Sequence, residues 1–213
     1  MRKQYIQFIK FILIFLSLNF IIDSCIIVKR ESKYEAVSSV TLSPKPLMEM
    51  SDVHVRSKKG DMIAFLPKDW FFVDVEEKAS SDIFAVAVNP DYTLSAVFSV
   101  IRKTDRIDSV VSKEGLLGLA RIAFDRHERK TAGAVKQNGV YSTIQMGSFP
   151  LAEFNYFATG NSAKAQSAVF VSSINQYYEI TLIPMNISGK KIPEKEDIDK
   201  YFQSILATIQ VQY

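Results

Sequence analysis

The chain has 213 residues, 47% hydrophobic, 12% aromatic and 23% charged, which excludes collagen-like, low-complexity and fully disordered proteins. Lys+Arg 26 against Asp+Glu 23 leaves a formal charge of +3, too little to draw the chain to nucleic acid. One cysteine and two histidines exclude an internal disulfide framework and a Cys/His zinc cage.

The N-terminus opens with Arg2, Lys3 and Lys10, then runs from Phe11 to Ile22 with only Ser17 and Asn19 polar. A helix of that length rises about 18 Å, short of the roughly 30 Å hydrocarbon core. It reads as the h-region of a signal peptide. Adding Ile6 to Phe8 across Lys10 brings it near spanning length, so an uncleaved anchor is the alternative. Ile22-Asp23-Ser24-Cys25 puts an aliphatic residue at −3, a small one at −1 and the sole cysteine at +1. This resembles the lipobox of bacterial lipoproteins, with Asp23 departing from the usual residue at −2. The resemblance implies acylation of Cys25 and cleavage before it, hence a membrane partner through lipid. Ile26 stands where enterobacterial lipoproteins retained at the inner membrane carry Asp, so the resemblance favours the outer membrane. Removing residues 1–24 takes away three cations and Asp23, leaving a mature body at +1 with little electrostatic attraction of its own for lipid or DNA.

From Ile26 to Ser57 no period holds for long, and Ser43-Pro44-Lys45-Pro46 cannot continue a helix. The expectation is a tether over 25–57, with Leu47 to Val55 as a short strand or docking segment, and a single domain over 58–213. Met62 to Leu66 and Phe71 to Val75 read as strands, and the apolar run Ile83 to Val88 as a central strand covered on both faces. Thr93 to Ile101 alternates, with Leu94, Ala96, Phe98 and Val100 on one face. Asp105 to Lys130 is helical, but Gly115 and a change of apolar face predict a kink or two helices near Ser112. Strands follow at Tyr141 to Phe149, Leu151 to Phe157, Ala165 to Ser172 and Tyr177 to Ile183, with a hairpin at Ser173 to Gln176. Pro193 suits the first turn of a last helix, whose stripe is Ile198, Tyr201, Phe202, Ile205 and Ile209. This order predicts an α+β fold: an antiparallel sheet with a long middle helix and a C-terminal helix packed on it.

Phe65-Leu66-Pro67-Lys68-Asp69-Trp70 resembles the Leu-Pro-x-x-Trp start of PsbP-like domains, and Tyr178-Glu179-Ile180-Thr181 before an amphipathic helix resembles their end. That fold also includes a yeast Ran-binding nuclear import factor and bacterial envelope lipoproteins of the DcrB type. The resemblance implies a PsbP-like α/β/α sandwich, mostly without catalysis, and carries over no functional residues.

The chemistry search yields no nucleotide-binding, hydrolase-elbow or zincin motif. Ser188-Gly189-Lys190-Lys191 matches S-x-x-K but lies in a glycine-containing loop without its companion motifs. His127 sits among cations at a helix end, where the dipole explains it; His54 lies in the tether. Arg121, Arg126, Arg129, Lys130 and Lys136 form a basic group suited to an anionic partner, against the plainer reading of a solvated helix end. Phe71, Phe72, Phe154, Tyr156, Phe157, Tyr177 and Tyr178 line either an aromatic groove or the sheet core. The expectation is a non-enzymatic lipoprotein binding an envelope protein, with no cofactor, metal or nucleic acid. The alternative is a small-molecule or lipid-binding periplasmic module; a hydrolase comes third.

Overall fold

The computed structural model describes residues 39–74, 80–158 and 163–211. The signal peptide over 1–24, Cys25 and residues 26–38 lie outside them. Eight strands form one sheet: β1 (Val40–Leu42), β4 (Phe71–Phe72), β5 (Ile83–Val88), β6 (Leu94–Ile101), β7 (Val135–Met146), β8 (Phe149–Ala158), β9 (Ala165–Val171) and β10 (Tyr177–Pro184). Their order is β1-β7-β8-β9-β10-β6-β5-β4, all antiparallel except the β1–β7 pair. A second, three-stranded sheet is ordered β11-β3-β2, from β2 (Met50–Arg56), β3 (Met62–Pro67) and β11 (Gln210–Val211). The helices are α1 (Asp105–Lys130) and α2 (Lys195–Ala207).

The alternation of β6, β9 and β10 divides the large sheet into two buried faces. On one, Leu94, Ala96, Phe98, Ala168, Phe170, Tyr178, Ile180 and Leu182 meet β2, β3 and α2. On the other, Ile101, Phe154, Val169 and Tyr177 meet α1. The predicted α2 stripe holds: Ile198, Phe202 and Ile205 are buried, and Tyr201 and Ile209 pack at the margin. Pro193 precedes the helix, whose N-cap is Glu194.

Three expectations need correction. The tether does not run to Ser57, because β1 and β2 belong to the body. Val55 is buried, and the Leu47 N–H donates to Ser204 Oγ on α2 at 2.9 Å. β1 is held by backbone pairing to an edge and leaves no side-chain period to read. β5 is not central: only the two-residue β4 covers its outer edge, and four of its six side chains are half-buried. The strand placed at Tyr141 to Phe149 turns at Gly147, whose φ of 61° suits a hairpin connection, so Phe149 opens β8. The predicted kink is present and falls at Gly115 itself.

Candidate binding sites

Gly115 breaks α1 with φ 62° and ψ −148°, a conformation close to glycine-only backbone. Unbent, the helix would hold Thr104 and Arg126 about 33 Å apart. Instead both line one cleft of about 610 Å³, with Arg106 and Ile107 from the first arm and Ile122, Asp125, Glu128 and Arg129 from the second. Asp82, Ile101 and Arg102 complete it from the ends of β5 and β6. A Cβ on Gly118 would sit 2.9 Å from Val110 Cγ1 and 3.2 Å from Val110 O, so a glycine lets this packing close. Thr104 caps the first arm, its hydroxyl accepting from the Ile107 N–H at 3.3 Å.

Beneath the cleft the second arm is pinned to the sheet by charge. Arg126 Nη2 donates to Asp82 Oδ2 at 3.1 Å and to the Val100 carbonyl at 3.3 Å. Asp82 also takes Arg102 Nε at 2.5 Å. Arg126 Nη1 lies 3.9 Å from Glu179 Oε2, and Glu179 sits 3% exposed on β10. The His127 Nε2–H donates to Glu179 Oε1 at 2.7 Å, and the Ser167 hydroxyl donates to the same oxygen at 2.7 Å. Burial by itself would raise the Glu179 carboxyl; His127, Ser167 and Arg126 outweigh it and hold the group below the usual carboxylate range. The His127 ring also lies on Tyr156, centroids 4.9 Å apart, and burial with the Glu179 charge pushes the Tyr156 hydroxyl up.

The structure splits the predicted basic group. Arg126 and Arg129 line the cleft, and Lys130 donates nearby to Ser80 Oγ at 3.3 Å. Arg121 turns away and pairs with Glu114. Lys136 lies on β7, away from the cleft lining. Sequence reasoning missed Asp82, Arg102 and Arg106, which precede Arg126 by 20 residues or more. The available signal was Gly115: a helix that reverses there brings its first turn beside its last. His127 is more than a helix-end cation, since it hydrogen-bonds a buried carboxylate. The S-x-x-K loop is solvated, with Lys191 Nζ on Glu194 Oε1 at 2.6 Å.

The aromatic group also divides. Phe154, Tyr156, Tyr177 and Tyr178 are core. Phe71 and Phe72 are 37% and 44% exposed on β4, which no further strand pairs among the described residues, and Val73 just after it is 38% exposed. Tyr92, 51% exposed, sets its ring edge-on to Phe71 with centroids 5.4 Å apart. Its φ of 59° is left-handed, an uncommon backbone for a large side chain.

A third cluster lies under α2, around a cavity of about 150 Å³ lined by Glu153, Lys164, Gln166 and Asp199 among apolar residues. Burial pushes the Glu153 carboxyl up to about 7; Lys164 opposes the shift and Asp199 adds to it. Asp199 accepts from Gln166 Nε2 and pairs with Lys195 at 2.9 Å. Among the described residues no group of three or more His, Cys, Asp or Glu is placed to hold a metal ion, and no helix is long and apolar enough to cross a membrane.

No family model matches the sequence, and no curated protein matches it. Among solved structures, cyanobacterial PsbP (CyanoP) from Synechocystis sp. PCC 6803 is similar with a TM-score of 0.57 and 11% identity, over 78% of this chain and 94% of that one. The Saccharomyces cerevisiae Ran-binding protein Mog1p gives a TM-score of 0.48 at 14% identity, over 76% and 96% of the two chains. A Bacteroides thetaiotaomicron structure gives 0.33 at 13%, over 75% and 48%. The likeness to CyanoP fixes the architecture: the chain has a PsbP-like α+β fold.

Proposed function

We propose that the chain is a lipid-anchored, non-enzymatic binding module of the bacterial cell envelope that docks an envelope protein along the β4 edge. The observation that carries this reading is the exposed aromatic edge itself. Phe71 and Tyr92 form an exposed ring pair, Phe72 is exposed on the opposite side of the strand and Val73 follows it, at an edge that no further strand pairs among the described residues. Exposed apolar patches of this kind mark interaction surfaces, and tyrosine and phenylalanine are enriched at interface centres. An extended partner segment adding to β4 would satisfy the free backbone groups and cover the rings. The lipobox-like residues before Cys25 support the anchor, and Ile26 after it supports the outer membrane.

Crosslinking and pull-down of the full-length chain from native envelopes tests the docking. Phe72→Ser with Tyr92→Ser is expected to abolish the main adduct while leaving the thermal melt in place, since both side chains are exposed. The same adduct from the double variant would contradict it. Anchoring has its own test: Cys25→Ala is expected to abolish acyl labelling and leave a slower-migrating precursor, and unchanged labelling and mobility would refute the lipid anchor.

A further inference from the structure

We infer that the cleft between the two arms of α1 binds a phosphoryl group carried on a small, partly apolar molecule, a site independent of the β4 edge. Its volume of about 610 Å³ falls within the range of small-ligand pockets. Four guanidiniums line it. Arg102 and Arg126 both pair with Asp82, Arg102 also donates to Ser81 Oγ, and Arg126 lies near Glu179, so these two are already partnered and the uncommitted charge rests on the other two. Arg106, on the opposite arm, makes no ion pair among the described residues. Arg129 spends only its Nε–H, on the Asp125 carbonyl at 3.1 Å.

Arg126 is the fixed floor of the site: its Nη1 is buried and its Nη2 is committed to Asp82 and the Val100 carbonyl, so it lends the cleft charge rather than a free donor. It is 15% exposed and held from below by Asp82, the Val100 carbonyl and the nearby Glu179 charge, so its position is fixed before a ligand arrives. The acidic side chains Asp125 and Glu128 line the same cleft and are exposed. They repel an extended polyanion such as nucleic acid, and favour one compact anion set against the arginines. A carboxylate is planar and is satisfied by one guanidinium fork. A tetrahedral phosphoryl group presents three oxygens in different directions, matching forks that approach from two helix arms. Ile107 and Ile122 add an apolar wall for the body that carries it.

Calorimetric titration of the full-length protein in detergent tests the assignment with phenyl phosphate, benzoate and a water-soluble short-chain phosphatidic acid. Phenyl phosphate is expected to bind at least tenfold tighter than benzoate, which keeps the ring and replaces the phosphoryl group. Arg106→Gln with Arg129→Gln is expected to weaken phenyl phosphate at least tenfold without moving the thermal melt. Should the double variant fold poorly, Arg106→Gln alone, at an exposed position, reads the same loss. Phosphatidic acid binding tighter than phenyl phosphate identifies a lipid headgroup as the source, and weaker binding a soluble ester. Equal affinity for benzoate, or undiminished binding by a folded variant, overturns the assignment. Neither result touches the β4 crosslink, so the two readings fail separately.

Discussion

Each face of the eight-stranded sheet covers a glutamate, and the two faces treat it in opposite ways. Glu179, under α1, receives hydrogen bonds from His127 and Ser167 with Arg126 close by, and stays ionised. Glu153, under α2, has Lys164 opposing its burial and Asp199 reinforcing it, and is pushed up to about 7. The α2 face is otherwise apolar, and its helix is held by a stripe of large side chains. The α1 face combines small residues, Gly118, Ala120 and Ala123, with a charged latch. One helix is therefore fixed by burial and the other by close approach and charge. Substitutions that separate those causes sharpen the contrast.

The largest effect is expected on the apolar face. Phe202→Ala removes a side chain that is 2% exposed and leaves a cavity, at a cost of about 3–5 kcal/mol. Lys200→Ala on the outer side of the same helix should stay within about 0.5 kcal/mol. Denaturant midpoints of the two variants measure the difference.

On the charged face, His127→Ala takes a donor from the buried Glu179 carboxylate and should cost about 1–3 kcal/mol. Because the folded state holds Glu179 below the usual range, its contribution is present above the unfolded value and is lost as pH falls through the folded one. The wild-type advantage over the variant, followed by denaturant titration, should shrink toward acid.

Gly118→Ala, which forces a Cβ to 2.9 Å from Val110 Cγ1, should cost about 1–3 kcal/mol by overpacking. A melt that loses less would mean the arms give way easily.

Glu153 offers the subtlest measurement. Its folded pKa is raised from 4.5 to about 7, so its neutral form favours the fold below about 4.5. That stability is lost as pH rises toward about 7, an acid-side trend opposite to that of Glu179. Glu153→Gln should flatten the slope of stability between about pH 4.5 and 7. An unchanged slope would place the titration elsewhere.

The same contrast explains what the sequence made legible. Ile198, Phe202 and Ile205 recur at helical spacing because burial alone places α2, so its face was readable. The alternation of Thr93 to Ile101 likewise predicted β6. β1 was not, since three residues joined by backbone pairing carry no period. The cleft was half legible: Arg126 and Arg129 stood out as helix-end cations, but Arg106 joins them only through the bend at Gly115, and Arg102 through the packing of the helix on the sheet. Glu179 served only as part of a fold resemblance; one charged residue in a strand does not reveal which helix reaches it.

The central claim is that α1 doubles back and gathers arginines distant in sequence into one cleft. Paired spin labels at Arg106→Cys and Arg129→Cys, in a Cys25→Ala background, measure this directly by electron–electron distance. The account predicts a narrow distribution well below the roughly 35 Å of a continuous helix. A distance at or beyond that value would contradict the bend, and with it the cleft.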